Sequence, residues 1–532
     1  MEHLDQRKKT TIMVAVLAAL LFAALNQTIV STALPRIVER LGGMEYYSWV
    51  FTVYMLTSSI TTILVGKLSD IYGRRPFILV GIGIFLIGAF LCGTSGDIIQ
   101  LIIYRGIQGL GAGMIMSTSF AVVGDLFAPR DRGRWQGIMT GAFGLASVLG
   151  PTLGGYIVDH LEWNWVFWVF LPVGIIAFVL IMMMFPKVAR KEGESVDYWG
   201  STLLTLTMVP MLLAFTWAGS KYDWGSAQII GLLVVTLVAL MGFIFIEQRV
   251  KSPVLPMNLF RNSTYSLSNL ISFILGAGMF GAVMYMPWFI QGVMGTSATL
   301  SGYVTMPMML SLVLGSAVGG QLVTRTGKYK LLALCGTVIM AAGMLLLAFM
   351  DLSTTTWDVI LFMIVTGLGL GLAMPVFSLT VQNSVDSSQL GVATASSQLF
   401  RSLGGTIGVA IMSTVLSHRL TDKMMAGAGA AQQDAAALPE EVKPIFGLLH
   451  DPQILLDPEK LEQAQGQLPL ELQQVFQHTV DMLREALSYA LSGVFLAGAI
   501  VIALSIVLTF FVKEVPLRSG SHKNKRQEKA EA

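Results

Sequence analysis

The chain has 532 residues, of which 54% are hydrophobic and only 12% charged. A soluble globular protein carries about 25% charged residues, so this composition, with a mean hydropathy of +0.69, excludes an ordinary water-soluble domain. A formal net charge of +2 gives no reason to expect a nucleic-acid partner; in an apolar chain the sidedness of the charges matters more than their sum.

A membrane-crossing helix needs about 20 mainly apolar residues. Arg7, Lys8 and Lys9 precede the first apolar run, which is too long for a signal-peptide core and has no obvious cleavage site, so it reads as a retained span. Fourteen segments qualify: 10–34, 46–66, 77–95, 98–126, 135–158, 163–186, 198–218, 227–247, 265–290, 299–323, 331–350, 357–384, 392–416 and 487–512. Only Gly96 and Asp97 separate the third from the fourth, which predicts a tight helical hairpin. With the N-terminus inside, 24 of the 34 Lys and Arg fall on the cytoplasmic side and eight outside, leaving Arg105 and Arg401 within spans. That bias obeys the positive-inside rule. It predicts a multi-pass protein of the plasma (inner) membrane with both termini cytoplasmic.

The halves repeat. Gly66-Lys-Leu-Ser-Asp70-Ile-Tyr-Gly73-Arg74-Arg75-Pro, between the second and third spans, is echoed by Gly320-Gln-Leu-Val-Thr324-Arg325-Thr-Gly327-Lys328-Tyr-Lys330, with Thr324 in the place of Asp70. Gly109, Gly111 and Gly113 are echoed by Gly367, Gly369 and Gly371. The expected organisation is a cytoplasmic N-terminus (1–9), a six-helix bundle (10–186), two extra helices with cytoplasmic connectors (187–264), a second six-helix bundle (265–512) and a basic cytoplasmic tail (513–532). The second bundle contains an extracellular insert at 417–486, rich in Ala, Gln and Pro, with an amphipathic pattern around Leu470, Leu472, Val475, Phe476 and Val480 that predicts about two surface helices. Whether the insert caps the outer mouth or is a peripheral elaboration stays open.

The 66–76 segment reads as a tight charged turn. Gly66 allows close helix packing, Gly73 permits the reversal, and Asp70 suits the N-terminus of a neighbouring helix. Lys67, Arg74 and Arg75 hold it on the cytoplasmic side. This pattern resembles the loop between the second and third spans of the major facilitator superfamily, and the whole chain outside 417–486 and the tail resembles its fourteen-span drug:proton antiporter family. The resemblance implies an all-α polytopic membrane protein with 14 transmembrane helices, as two six-helix major-facilitator bundles plus two inserted helices, each bundle built from nested inverted triplets. It implies that the turn acts as a conformational latch, with Asp70 at the N-terminus of the thirteenth span.

The fifth span carries Gly137, Ala146, Gly150, Pro151, Gly154 and Gly155. The glycines make a groove for close packing and Pro151 removes a backbone donor. The spacing resembles the antiporter motif of facilitator exporters, with Ala146 where the family often has Asn. In the fourth span, Arg105 and Gln108 share a face, followed by the three glycines, similar to the family's Arg-Gly-x-x-Gly-x-Gly motif. An arginine in lipid is costly and must face the interior or water. The family assigns it to proton transfer; the residues alone leave open a bond to helix carbonyls. Arg401 and Gln398 form a second such pair in the thirteenth span.

Asn26 and Gln27 lie in Leu25-Asn26-Gln27-Thr28-Ile-Val-Ser31-Thr32-Ala-Leu-Pro35, which resembles the first-span signature of the drug:proton antiporters; there Asn26 is usually Asp. None of the 32 acidic residues lies mid-span, and Asp125, Asp159 and Glu247 sit at span ends. Either peripheral acids carry the coupling, or Asn26 mimics a protonated aspartate. Met279, Met284, Tyr285, Met286, Trp288 and Phe289 crowd the ninth span; polarizable and aromatic side chains suit varied apolar or cationic ligands, while Trp288 equally suits the outer headgroup zone. The two cysteines lie in apolar runs and all six histidines outside them, so neither a metal site nor a histidine relay is expected.

The reading is a proton-coupled multidrug exporter, not an enzyme. Its expected partners are lipophilic or cationic substrates, protons and membrane lipids, in a monomer. Lacking a Gly-x-x-x-x-Gly-Lys-Ser/Thr loop, it needs no nucleotide cofactor, and the proton gradient supplies the energy. Asn26 and Arg105 are the proton-coupling candidates. Asn26, Gln27, Gln108, Met279, Tyr285, Trp288, Gln398 and Arg401 are the candidates for the substrate cavity. The alternatives are a solute-specific exporter or uniporter not driven by protons, and a non-transporting membrane sensor.

Overall fold

The computed structural model describes residues 5–41, 47–127, 129–186, 197–218, 222–250, 253–296, 298–386, 389–436, 442–450, 454–455 and 458–514. The first half contains α1 (Gln6–Leu41), α2 (Tyr47–Tyr72), α3 (Arg74–Gly93), α4 (Ile98–Leu126), α5 (Pro129–His160), the short α6 (Trp165–Trp168) and α7 (Leu171–Met184). Two inserted helices follow, α8 (Tyr198–Trp217) and α9 (Ala227–Glu247). The second half has α10 (Ser263–Pro287), α11 (Ala298–Thr326), α12 (Lys330–Ala348), α13 (Thr356–Asn383), α14 (Leu390–Ala436), the short α15 (Lys443–Gly447) and α16 (Pro458–Gly466), and α17 (Leu470–Phe511). Among the described residues there are 14 helices long and apolar enough to cross a membrane, α6 and α7 forming one of them. Hydrocarbon offers no partner to a free amide, so a helix, which satisfies its own backbone, is the state such runs adopt.

Helix ends are capped by their own side chains. Asp97 accepts the N–H of Gln100 at 2.9 Å at the start of α4, which closes the expected hairpin. Asn262 accepts that of Thr264 at 3.0 Å to start α10. Thr355 and Asp358 form a capping box at α13. Ile87, Met183, Val238 and Leu314 are exposed on the outer faces, as contact with lipid requires.

The repeat foreseen from the glycines is built into the packing. In α4, Gly109 and Gly113 lie against Tyr54 and Ser58 of α2, while Gly111 lies against Gly81 and Phe85 of α3. In α13, Gly367 and Gly371 lie against Met308 and Leu312 of α11, while Gly369 lies against Met340 of α12. Each triplet thus seats one helix between two others with backbones nearly touching.

The inserted helices pack against each other, and α8 also touches α2 and α14. Leu204 and Met208 of α8, Phe243 of α9, Leu255 of the connector, Ile63 of α2 and Val392 of α14 share one apolar cluster at that junction. Glu247, buried at the end of α9, accepts the N–H groups of Val254 at 3.1 Å and Leu255 at 3.3 Å and so fixes the connector.

Three expectations need correction. The 66–76 segment is not a loop: α2 stays helical to Tyr72 and only Gly73, at φ 88°, breaks the chain before α3. The reason is that a helix satisfies the backbone of residues 66–72 where a loop would leave it unpaired. The insert at 417–486 is not mainly free surface helices, because α14 and α17 run on into it as continuous helices, leaving α15 and α16 as short elements among the described residues. His418 and His478 accordingly sit on spanning helices that extend past the apolar runs. Residues 1–4 of the N-terminus and 515–532 of the tail lie outside the described residues.

Candidate functional site

A cavity of about 280 Å³ lies between the halves, walled by α1, α2, α4 and α5 on one side and α10, α11, α13 and α14 on the other. Its walls come from the middle of these helices, for example Ser58 and Thr62 of α2 and Met309 and Leu312 of α11. Met55, Met116, Met279 and Met374 with Phe120, Phe143 and Phe280 make it mostly apolar and deformable. Gln27, Thr28, Ser58, Thr140, Gln398 and Arg401 supply its polar points.

Beyond the cavity-lining turns of α2 and α14, the 66–76 motif joins the two halves. Asp70, on the last turn of α2, accepts the N–H of Gly391 at 3.0 Å and that of Val392 at 2.9 Å. These are first-turn amides of α14, which lack partners in their own helix and carry the positive end of its dipole. Arg74 donates to Asp70, to Asp125 at 3.0 Å and to Ser69 Oγ at 2.7 Å. Asp70 and Arg74 are almost fully buried, and removing one member of a buried pair strands the other charge. Gly66 makes the approach possible: a Cβ there would come within 2.5 Å of Ala395 Cβ and 3.1 Å of the Gly391 carbonyl. Arg75 faces outward and donates to the Met182 carbonyl of α7 at 2.5 Å.

The second half mirrors this junction on the other flank. Gly327, like Gly73, has a positive φ of 68°, and Gly320 of α11 abuts the Gly133 carbonyl at the start of α5. The side chain of Thr324, the counterpart of Asp70, lies outside the described residues. Gly137 continues the α5–α11 contact against Ser316. Gly150 instead packs on Thr28 of α1, whose hydroxyl donates to the Ala146 carbonyl at 2.9 Å. Pro151, Gly154 and Gly155 extend α5; the surroundings of Pro151 and Gly155 lie outside the described side chains.

Behind the cavity wall sits a polar hub. Arg105 Nη1 donates to Asn26 Oδ1 at 3.1 Å and to Gln108 Oε1 at 2.7 Å, and Nε donates to the Val50 carbonyl at 3.3 Å. The guanidinium lies 4.1 Å from the centre of the Tyr54 ring, a cation–π distance. Arg105, Asn26 and Gln108 are fully buried. The hub is rich in donors: Arg105 Nη2, Asn26 Nδ2 and Gln108 Nε2 find no acceptor among the described residues.

Residues 16–409 match the sequence profile of the Major Facilitator Superfamily. The chain belongs to this superfamily. It is 39% identical over 531 residues to the multidrug transporter protein MdtP of Bacillus subtilis, covering 99% of this chain and 97% of that one. It is 31% identical to multidrug resistance protein 3 of the same organism, covering 97% of each chain. The facilitator fold is also seen in the proton:xylose symporter XylE, with a TM-score of 0.60 at 13% identity over 97% of this chain and 98% of that one.

Of the eight residues expected around the facilitator cavity, Gln27, Met279, Gln398 and Arg401 line it. Asn26 and Gln108 do not; they are drawn behind the wall by Arg105. Tyr285 turns toward α14, donating to the Val409 carbonyl at 3.1 Å. Trp288 opens a short π-helical segment, Trp288–Val293, and packs on the core of the second half. Sequence reasoning missed the lining hydroxyls Ser58 and Thr62, whose signal was a run of Ser and Thr at helical spacing in the second span, and Thr140 of the fifth span. It also missed Asp125 and Ser69 as partners of Arg74.

Proposed function

We propose that this chain is a secondary multidrug exporter in which the two halves rock by alternating access around the cavity. The observation that carries the reading is a largely apolar cavity at mid-helix depth with walls drawn from four helices of each half. Two full-length relatives named as multidrug proteins support the substrate breadth. The excess of Lys and Arg beside the Asp70 motif supports a plasma-membrane protein with that end and both termini on the cytoplasmic side. With Asp70 on the α14 amides the cytoplasmic end is shut, and its release would open the cavity inward.

Proton antiport is the energy source that fits the family resemblance, with the Arg105–Asn26 hub as its centre. Asn26 favours a second reading, an exporter or uniporter without proton coupling, since no carboxylate lines the cavity among the described residues. The test is expression in a bacterium stripped of its own efflux pumps. Raised resistance to several lipophilic compounds supports export, and its absence in a well-expressed protein favours the sensor. Collapse of the proton gradient then separates the readings: export that survives it is not proton-driven.

A further inference from the structure

We propose that the cavity selects lipophilic organic anions, carboxylates above all, with Arg401 as the counter-charge; this rests on the export reading given above. Arg401 of α14 lines the cavity and is half-buried, which puts its charge at the wall of the space a ligand would fill. Its one hydrogen-bond partner among the described residues is the neutral Gln398 Oε1, one turn back. No carboxylate lies within ion-pair distance of it among the described residues, and none lines the cavity. The acids at the junction of the halves are committed: Asp70 to the α14 amides and Arg74, and Asp125 to Arg74.

A second positive charge, Arg105, stands behind the wall, joined through Asn26 to the turn that carries Gln27 into the cavity. The site is therefore positive on two sides and negative on none. In a medium of low dielectric, Coulomb terms are large and an unpaired guanidinium is costly. A ligand carboxylate relieves that cost by taking the bidentate geometry that arginine presents. An ammonium adds a like charge instead. The faces of Phe120, Phe143 and Phe280 attract cations, but a ring quadrupole is weaker than a full charge at similar range. These same rings and the methionines accept the apolar body of an anion equally well.

The experiment uses three probes with one apolar body: 1-pyrenebutyrate, 1-pyrenebutanol and 1-pyrenebutylammonium. Binding to the full chain in nanodiscs is measured by dialysis against empty nanodiscs. The expected order is anion, alcohol, ammonium, with the anion ahead of the alcohol by about tenfold. Arg401→Gln removes that preference, and so does the nearly isosteric Gln398→Glu, which supplies Arg401 with an internal partner; Arg401→Lys keeps most of it. Ammonium binding as tight as anion binding, no measurable anion binding, or a preference that persists in both Arg401→Gln and Gln398→Glu overturns the proposal. Uptake of the probes into inverted vesicles tests the export reading separately. The expected binding order without uptake of any probe sinks export and leaves the selectivity standing, whereas preferential uptake of the ammonium does the reverse.

Discussion

The carboxylate of Asp70 accepts the backbone N–H of Gly391 at 3.0 Å, joining the two halves across 321 positions of sequence. Nothing covalent holds this contact, and it consists of one charge set against the unpaired amides of a helix end. It is strong enough to close the gap and local enough to be broken by a single movement of α14.

Asp70→Asn should cripple transport while leaving membrane insertion intact. The amide keeps one acceptor oxygen but loses the charge that faces both the α14 dipole and the buried Arg74. A dipole contribution of about 1 kcal/mol together with a weakened charge-assisted bond shifts the balance toward the inward-open state. The check is efflux by membranes with matched expression. Wild-type efflux by Asp70→Asn would remove the latch.

Gly66→Val should act from the other side of the same contact. Its Cβ meets Ala395 and the Gly391 carbonyl only when α2 and α14 are together, so the clash penalises the closed state alone. Overpacking of this kind costs about 1–3 kcal/mol, enough to shift the population on the order of tenfold. Alkylation of a single cysteine placed near Ala395 should quicken in the variant. An unchanged rate would mean that α2 and α14 stay together throughout the cycle.

Much of this architecture is legible in the chain because lipid removes alternatives. Apolar runs must be helices, so the 14 spans follow from length, and basic residues mark the side expected to be cytoplasmic. The repeated glycines showed the two halves to be alike, since a missing Cβ is visible in the sequence, while the helices they bring together came from the structure. The hub was also within reach: Asn26 stands eight residues before the end of the 10–34 run and Arg105 seven after the start of the 98–126 run, a similar depth at about 1.5 Å per residue, and they are bonded. Rotation about each helix axis was not legible. Tyr285 and Gln108 share depth with the cavity yet turn away from it, because Val409 and Arg105 offer them partners that no local pattern reveals. Long-range pairs such as Arg74 with Asp125 escaped for the same reason.

Arg105→Ala should abolish transport of a neutral substrate more completely than Arg401→Ala. Arg105 holds Asn26, Gln108 and the Val50 carbonyl together, and its loss strips Asn26 Oδ1 of its donor and leaves Gln108 Oε1 with only the Cys92 thiol at 3.9 Å. Each such group costs about 1–3 kcal/mol. Arg401 has one hydrogen-bond partner among the described residues and lines the cavity, so its removal leaves the fold alone. Arg105→Lys should be intermediate at best, because an ammonium cannot present the planar fork that serves three acceptors. Efflux of an uncharged dye ranks the variants, and normal transport by Arg105→Lys would show that charge alone suffices.

Asn26→Asp should create substrate-dependent proton release. The hub has more donors than acceptors: Asn26 Nδ2, Gln108 Nε2 and Arg105 Nη2 are all buried without an acceptor among the described residues. Aspartate replaces one of these donors with an oxygen and sets a carboxylate where Asn26 Oδ1 now accepts from Arg105 at 3.1 Å. Charged, that carboxylate pairs with Arg105; protonated, it keeps the shape of the present amide and loosens the pair. Gln27, the next residue, lines the cavity, so a ligand that moves α1 would alter the distance between the two and with it the bound proton. The present chain, with an amide that cannot titrate, should rest in the conformation that the protonated acid prefers. The measurement is proton release into weakly buffered detergent solution on adding a transported substrate. Release from Asn26→Asp with little from the present chain places coupling at the hub. Equal release from both would move it elsewhere, with Asp125 the next residue to replace, since it holds Arg74 at the latch.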